Sequence, residues 1–80
     1  MAYVTIEKDG EPWMLCHVMH EADLERQIET ARAEAPTATF TQRISTPVES
    51  QQCADASEAQ AGAIENPFQF FAVRVSDLVP

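Results

Sequence analysis

The chain has 80 residues, the size of one domain that buries about 60% of its unfolded surface around a thin core. Thirteen acidic against five basic residues give a formal charge of −8, which repels nucleic-acid phosphates and anionic lipid, so neither direct nucleic-acid binding nor membrane association is expected. An apolar content of 45% excludes disorder of the whole chain, and no apolar run approaches the ~20 residues needed to cross a bilayer.

Residues 2 to 8 alternate β-branched or aromatic side chains with polar ones and predict a strand. Asp9-Gly10 follows, a pair suited to the positive φ angles of a type I′ hairpin turn. A second strand is expected from about Trp13 to Met19. Pro12 has no N–H, which suits the first residue of a strand or an edge. Alternation places Trp13, Leu15, His17 and Met19 on one face and Met14, Cys16 and Val18 on the other. Both sets are mostly apolar, so this strand is expected to be covered on both sides or to meet a partner.

Residues 21 to 35 predict a helix, with Leu24, Ile28, Ala31 and Ala35 forming one narrow stripe. Glu21 and Asp23 suit the positive end of its dipole, and Pro36 stops it. A third strand is expected at about Ala38 to Ser45, with Ala38, Phe40 and Ile44 on one face and a solvated face of Thr39, Thr41, Arg43 and Ser45; Pro47 is expected to end it. A fourth strand is expected at about Phe68 to Val75. Phe68, Phe70 and Ala72 on one side and Phe71, Val73 and Val75 on the other mark it as central or doubly covered, with Arg74 near its end. Between these strands, residues 48 to 65 form a long connection poor in large apolar residues. A partial helix from about Ser50 to Ala61, with Gly62 beyond its C-terminus, is favoured over a flexible loop.

The expected architecture is therefore a single α+β domain over residues 1–80. Its order is β-β-α-β-(loop or short helix)-β, as a four-stranded, mainly antiparallel sheet with one main helix on one face and two hairpins flanking that helix. One helix covers one face. Trp13, Met14, Met19, Phe68, Phe70 and Phe71 exceed what that layer needs, so either the 48–65 segment covers the second face or another chain does. A homodimer through that face is the alternative reading.

The side chains that carry chemistry are sparse. Cys16-His17-Val18-Met19-His20 is the densest group of metal-ligand types. Strand geometry separates His17 from Cys16 and His20, so at most two converge, where a structural zinc site wants four. Cys53 has no general base close in sequence, and cysteine-hydrolase signatures are absent. Two glycines cannot form a glycine-rich phosphate loop, and a thin core offers little depth for a carboxylate pair with separated pKa values. No cofactor and no catalysis are expected; a small metal-binding or thiol-reactive domain is the third reading. No signal sequence is expected at the N-terminus. The default compartment is then the cytoplasm, where Cys16 and Cys53 are expected to be reduced.

Most of the acids fall between Glu7 and Glu34. Glu7, Asp9 and Glu11 cluster at the first hairpin turn. On the helix, Glu25 and Glu29 share a flank with Arg32, while Asp23 and Glu34 lie on the other flank. Spacings of three, Asp23 to Arg26 and Glu29 to Arg32, partly neutralise this surface, which suits steering more than imitation of a phosphate backbone. The leading expectation is a non-enzymatic interaction module, an inhibitor that binds a basic surface on a larger protein or nucleoprotein complex. Glu7, Asp9, Glu11, Glu25, Glu29 and Trp13 are its candidate contact residues. By size and charge alone it is comparable to small acidic inhibitors encoded by phages and mobile elements, anti-CRISPR proteins among them, but no motif supports the comparison.

Overall fold

A computed structural model describes residues 2–60 and 70–78. Strands β1 (Ala2–Lys8) and β2 (Glu11–Val18) form an antiparallel hairpin, followed by helix α1 (Glu21–Glu34), strand β3 (Phe40–Ile44), helix α2 (Pro47–Ala59), strand β4 (Phe71–Arg74) and a 3-10 turn (Val75–Asp77). The sheet order is β3-β1-β2-β4, with every neighbouring pair antiparallel. The four-stranded α+β architecture is as expected. The pairing differs in one respect: β3 and β4 form no hairpin with each other but lie at opposite edges of the central β1–β2 pair.

Asp9 and Gly10 carry φ angles of 53° and 85°, the two positive values a type I′ turn requires. The Asp9 main chain and side chain both engage Thr39: Asp9 N–H donates to the Thr39 carbonyl at 2.8 Å, and Thr39 N–H donates to Asp9 Oδ1 at 2.9 Å. The hairpin turn is thereby tied to the entry of β3.

The register shifts within this hairpin. Ile6 pairs with Met14 but Glu7 pairs with Pro12, so Trp13 is an inserted residue on β2. A bulge re-aims the side chains around it. Trp13 accordingly packs with the core on the α1 side, its ring 5.2 Å from that of Phe40, and not on the Leu15 face that strict alternation assigns. Pro12 lies beyond the stretch of β2 that β4 covers, Met14 to His17, so its missing N–H leaves no strand unpaired.

Each face of the sheet carries a helix. On one, Leu24, Ile28 and Ala31 of α1 pack with Val4, Ile6, Met14, Cys16, Val18 and Phe40. On the other, Cys53 of α2 joins Leu15, Phe71 and Val73, flanked by Tyr3 and Ala56. The second face expected to need cover, or to support a homodimer, is occupied by α2. β4 is doubly covered, one of the two expected alternatives, although it lies at an edge: Phe71 and Val73 join the α2-side cluster, and Phe70 and Ala72 pack with the α1-side cluster. Of its expected span, residues 68 and 69 lie outside the described residues, as do Gly62 and the end of the 48–65 connection. Among the described residues no helix is long and apolar enough to cross a membrane.

α2 begins at Pro47, earlier than the expected Ser50, and Pro47 starts the helix where it was expected only to end the strand. Thr46 is the N-cap: its Oγ1 accepts from Glu49 N–H at 3.2 Å, and Glu49 Oε1 accepts from Thr46 N–H at 2.9 Å. This is a capping box with proline at the first helical position, where the missing N–H costs nothing.

Candidate functional site

The carboxylates separate into those the fold uses and those it leaves free. Glu49 lies at the centre of the first group. Its Oε1 accepts from Arg43 Nη1 at 2.7 Å and its Oε2 from Arg43 Nη2 at 2.9 Å, a two-pronged pairing of guanidinium and carboxylate. The fully buried Thr5 donates to Glu49 Oε1 at 3.1 Å. With its single proton so used, Thr5 Oγ1 accepts from Ser45 Oγ at 2.8 Å. Arg43 Nε meets Glu7 Oε2 at 3.3 Å. The network joins β1, β3 and the start of α2, and no buried side-chain polar atom among the described residues lacks a partner. The Arg43 guanidinium holds the Glu49 carboxyl down to about 2, and Glu49 in turn raises the Arg43 guanidinium above its ordinary range. The Arg43 face of β3, expected to be solvated, is thus partly covered.

The two halves of the acidic surface behave differently. Glu7 is half-buried and committed to Arg43. Asp9 is exposed, but its carboxylate secures the turn to Thr39. Glu11, Glu25 and Glu29 are exposed, and among the described residues none forms an ion pair with a basic side chain. The expected Asp23–Arg26 pair is present at 3.4 Å; the Glu29–Arg32 pair is not. Glu25, Glu29 and Arg32 share one flank of α1, as helical geometry requires. That flank forms the wall of a groove of about 270 Å³ whose floor is Ile28 and Phe40 and whose far side is Thr41 and Gln42 of β3.

Trp13 is half-buried. Beyond its contact with Phe40, the Arg74 guanidinium lies 5.3 Å from its ring centroid, within cation–π range. Arg43 and Arg74 are therefore both held by internal partners, and Arg26 by Asp23.

The cysteines and histidines do not assemble. Cys16 packs on the α1 side of the sheet and Cys53 beneath α2, both as free thiols. Burial pushes Cys16 up to about 12 and Cys53 up to about 11, away from the thiolate form a nucleophile or metal ligand needs. His17 stacks near Tyr3, with ring centroids 5.0 Å apart, and His20 is the exposed N-cap residue of α1. Among the described residues no three His, Cys, Asp or Glu side chains converge as a cation site would require.

Comparison with known proteins finds no matching family model, no similar curated protein and no similar solved structure.

Proposed function

We propose that this chain is a non-enzymatic acidic interaction module that binds a basic surface on a larger protein or nucleoprotein complex and blocks it, without touching nucleic acid directly. The observation that carries this reading is the division among its carboxylates. Glu7, Asp9, Asp23 and Glu49 have internal partners, whereas Glu11, Glu25 and Glu29 are exposed and form no ion pair among the described residues, with Arg32 beside Glu25 and Glu29 on α1. Three of the five basic side chains, Arg26, Arg43 and Arg74, are engaged within the molecule. The net charge of −8 is thus displayed on a surface where Arg32 is the basic side chain on the Glu25–Glu29 flank. Such a field steers association with a basic surface and disfavours acidic ones.

The test is capture of partners from the native host by immobilised wild-type protein and by a Glu25→Lys/Glu29→Lys variant, at low and high salt. The protein retained by the wild type at low salt should be released by high salt and lost by the variant. A partner held equally under all these conditions contradicts the electrostatic reading.

A further inference from the structure

β3 ends the sheet on one side, and among the described residues no strand pairs with its outer edge. Ser45 N–H donates to the Tyr3 carbonyl at 3.0 Å, and Asp9 N–H to the Thr39 carbonyl at 2.8 Å. Positions 39 and 45 therefore turn their main-chain groups toward β1. The alternation of an antiparallel strand then turns the N–H and C=O of Phe40, Gln42 and Ile44 outward. The Ile44 carbonyl accepts from Arg43 Nη1 at 3.3 Å; among the described residues, the outward groups of Phe40 and Gln42 have no main-chain partner outside the β1 ladder.

Proteins guard such edges with proline, bulges or outward charge. β3 contains no proline, its register with β1 is unbroken, and its one charged side chain, Arg43, is withdrawn to Glu7 and Glu49. The groove walled by Glu25, Glu29 and Arg32 borders Phe40, Thr41 and Gln42 of this strand, and its wall carries two carboxylates against one guanidinium. On a helix those two residues are separated by a rise of ~6 Å, close to the ~6.7 Å between alternate side chains of a strand. A second copy of this chain is a poor occupant, because two bodies of charge −8 would be brought together.

We propose that the open edge of β3 takes an extended basic segment of the partner as a fifth strand. Main-chain hydrogen bonds form to Phe40 and Gln42, and alternate lysine or arginine side chains reach Glu25 and Glu29. This deepens the charge-based reading above and rests on it. Strand addition supplies affinity through the main chain and selectivity through alternate side chains.

The experiment is an amide NMR titration of the full chain with a short capped peptide of alternating lysine and valine, run beside the same peptide N-methylated at alternate nitrogens and one with glutamate in place of lysine. The lysine peptide should shift the amides of Phe40, Gln42 and Ile44, and the glutamate peptide should not. N-methylation, or Gln42→Pro in the protein, should weaken binding about tenfold or more, the equivalent of one lost hydrogen bond. Gln42 N–H points away from β1, so the proline removes no internal ladder bond and the rest of the spectrum should superimpose. Glu25→Gln with Glu29→Gln should weaken binding by about three- to tenfold. Binding that needs the carboxylates but ignores N-methylation overturns the strand pairing and leaves the charge reading standing. Failure of the lysine peptide to bind overturns both. Shifts at β3 that grow with protein concentration alone assign the edge to a second copy and overturn the proposal.

Discussion

The two helices cover opposite faces of one sheet by different means. α1 is held by an apolar stripe, Leu24, Ile28 and Ala31, each buried against the sheet, so its charged residues contribute little to holding it in place. α2 buries one residue, Cys53, with Ala56 half-covered, and is anchored instead at its first turn by Glu49, which binds Arg43, Thr5 and the Thr46 N–H. A helix secured by apolar contact keeps its carboxylates free for another molecule. A helix secured through a carboxylate has spent that group on the fold.

The largest effect that would break this contrast is expected at the α1 core. Ile28→Ala should cost about 2–4 kcal/mol in urea unfolding, because it removes buried methyl groups and leaves a cavity; a loss under 1 kcal/mol would mean α1 is held by something else. The α2 anchor is next. Glu49→Gln removes the charge from the pairing with Arg43, while a glutamine there still completes the capping box, and should cost about 2 kcal/mol at neutral pH. The Glu49 carboxyl is lowered from 4.5 to about 2 in the fold, so its contribution is fully present above the unfolded value. It fades as pH falls from about 4.5 toward about 2. Melts at a series of pH values should therefore show the gap between wild type and Glu49→Gln closing over that acid range. Cys53→Ala, which trims a small buried group, should give the smallest loss, about 1 kcal/mol.

The α1 half of this picture was legible in the sequence, because it rests on local signals: a 3.6-residue stripe for α1 and Asp9-Gly10 for the turn. The exposure of Glu11, Glu25 and Glu29 was legible with it. What escaped depends on partners distant in the chain. Glu7 and Asp9 look like surface acids until β3 brings Arg43 and Thr39 beside them. Trp13 changed sides through a bulge that alternation cannot register. The two-sided apolar pattern of the fourth strand left central and doubly covered positions open, and it is the packing of Phe71 and Val73 on the α2 side and of Phe70 and Ala72 on the α1 side that makes β4 a doubly covered edge strand. One miss was local: Thr46-Pro47-Val48-Glu49 is a capping box with proline at the first helical position, readable at once, and reading Pro47 only as a terminator concealed both the start of α2 and the role of Glu49.

The division between spent and free carboxylates is tested most directly by thermal melting of Glu25→Gln/Glu29→Gln beside Glu49→Gln at neutral pH. The double α1 variant should melt at or slightly above the wild type, since it removes two like charges from a chain of charge −8. Glu49→Gln should melt roughly 10 °C lower, the shift expected of about 2 kcal/mol in a domain this small. A double variant that falls as far as Glu49→Gln, or a Glu49→Gln that melts with the wild type, would contradict the account.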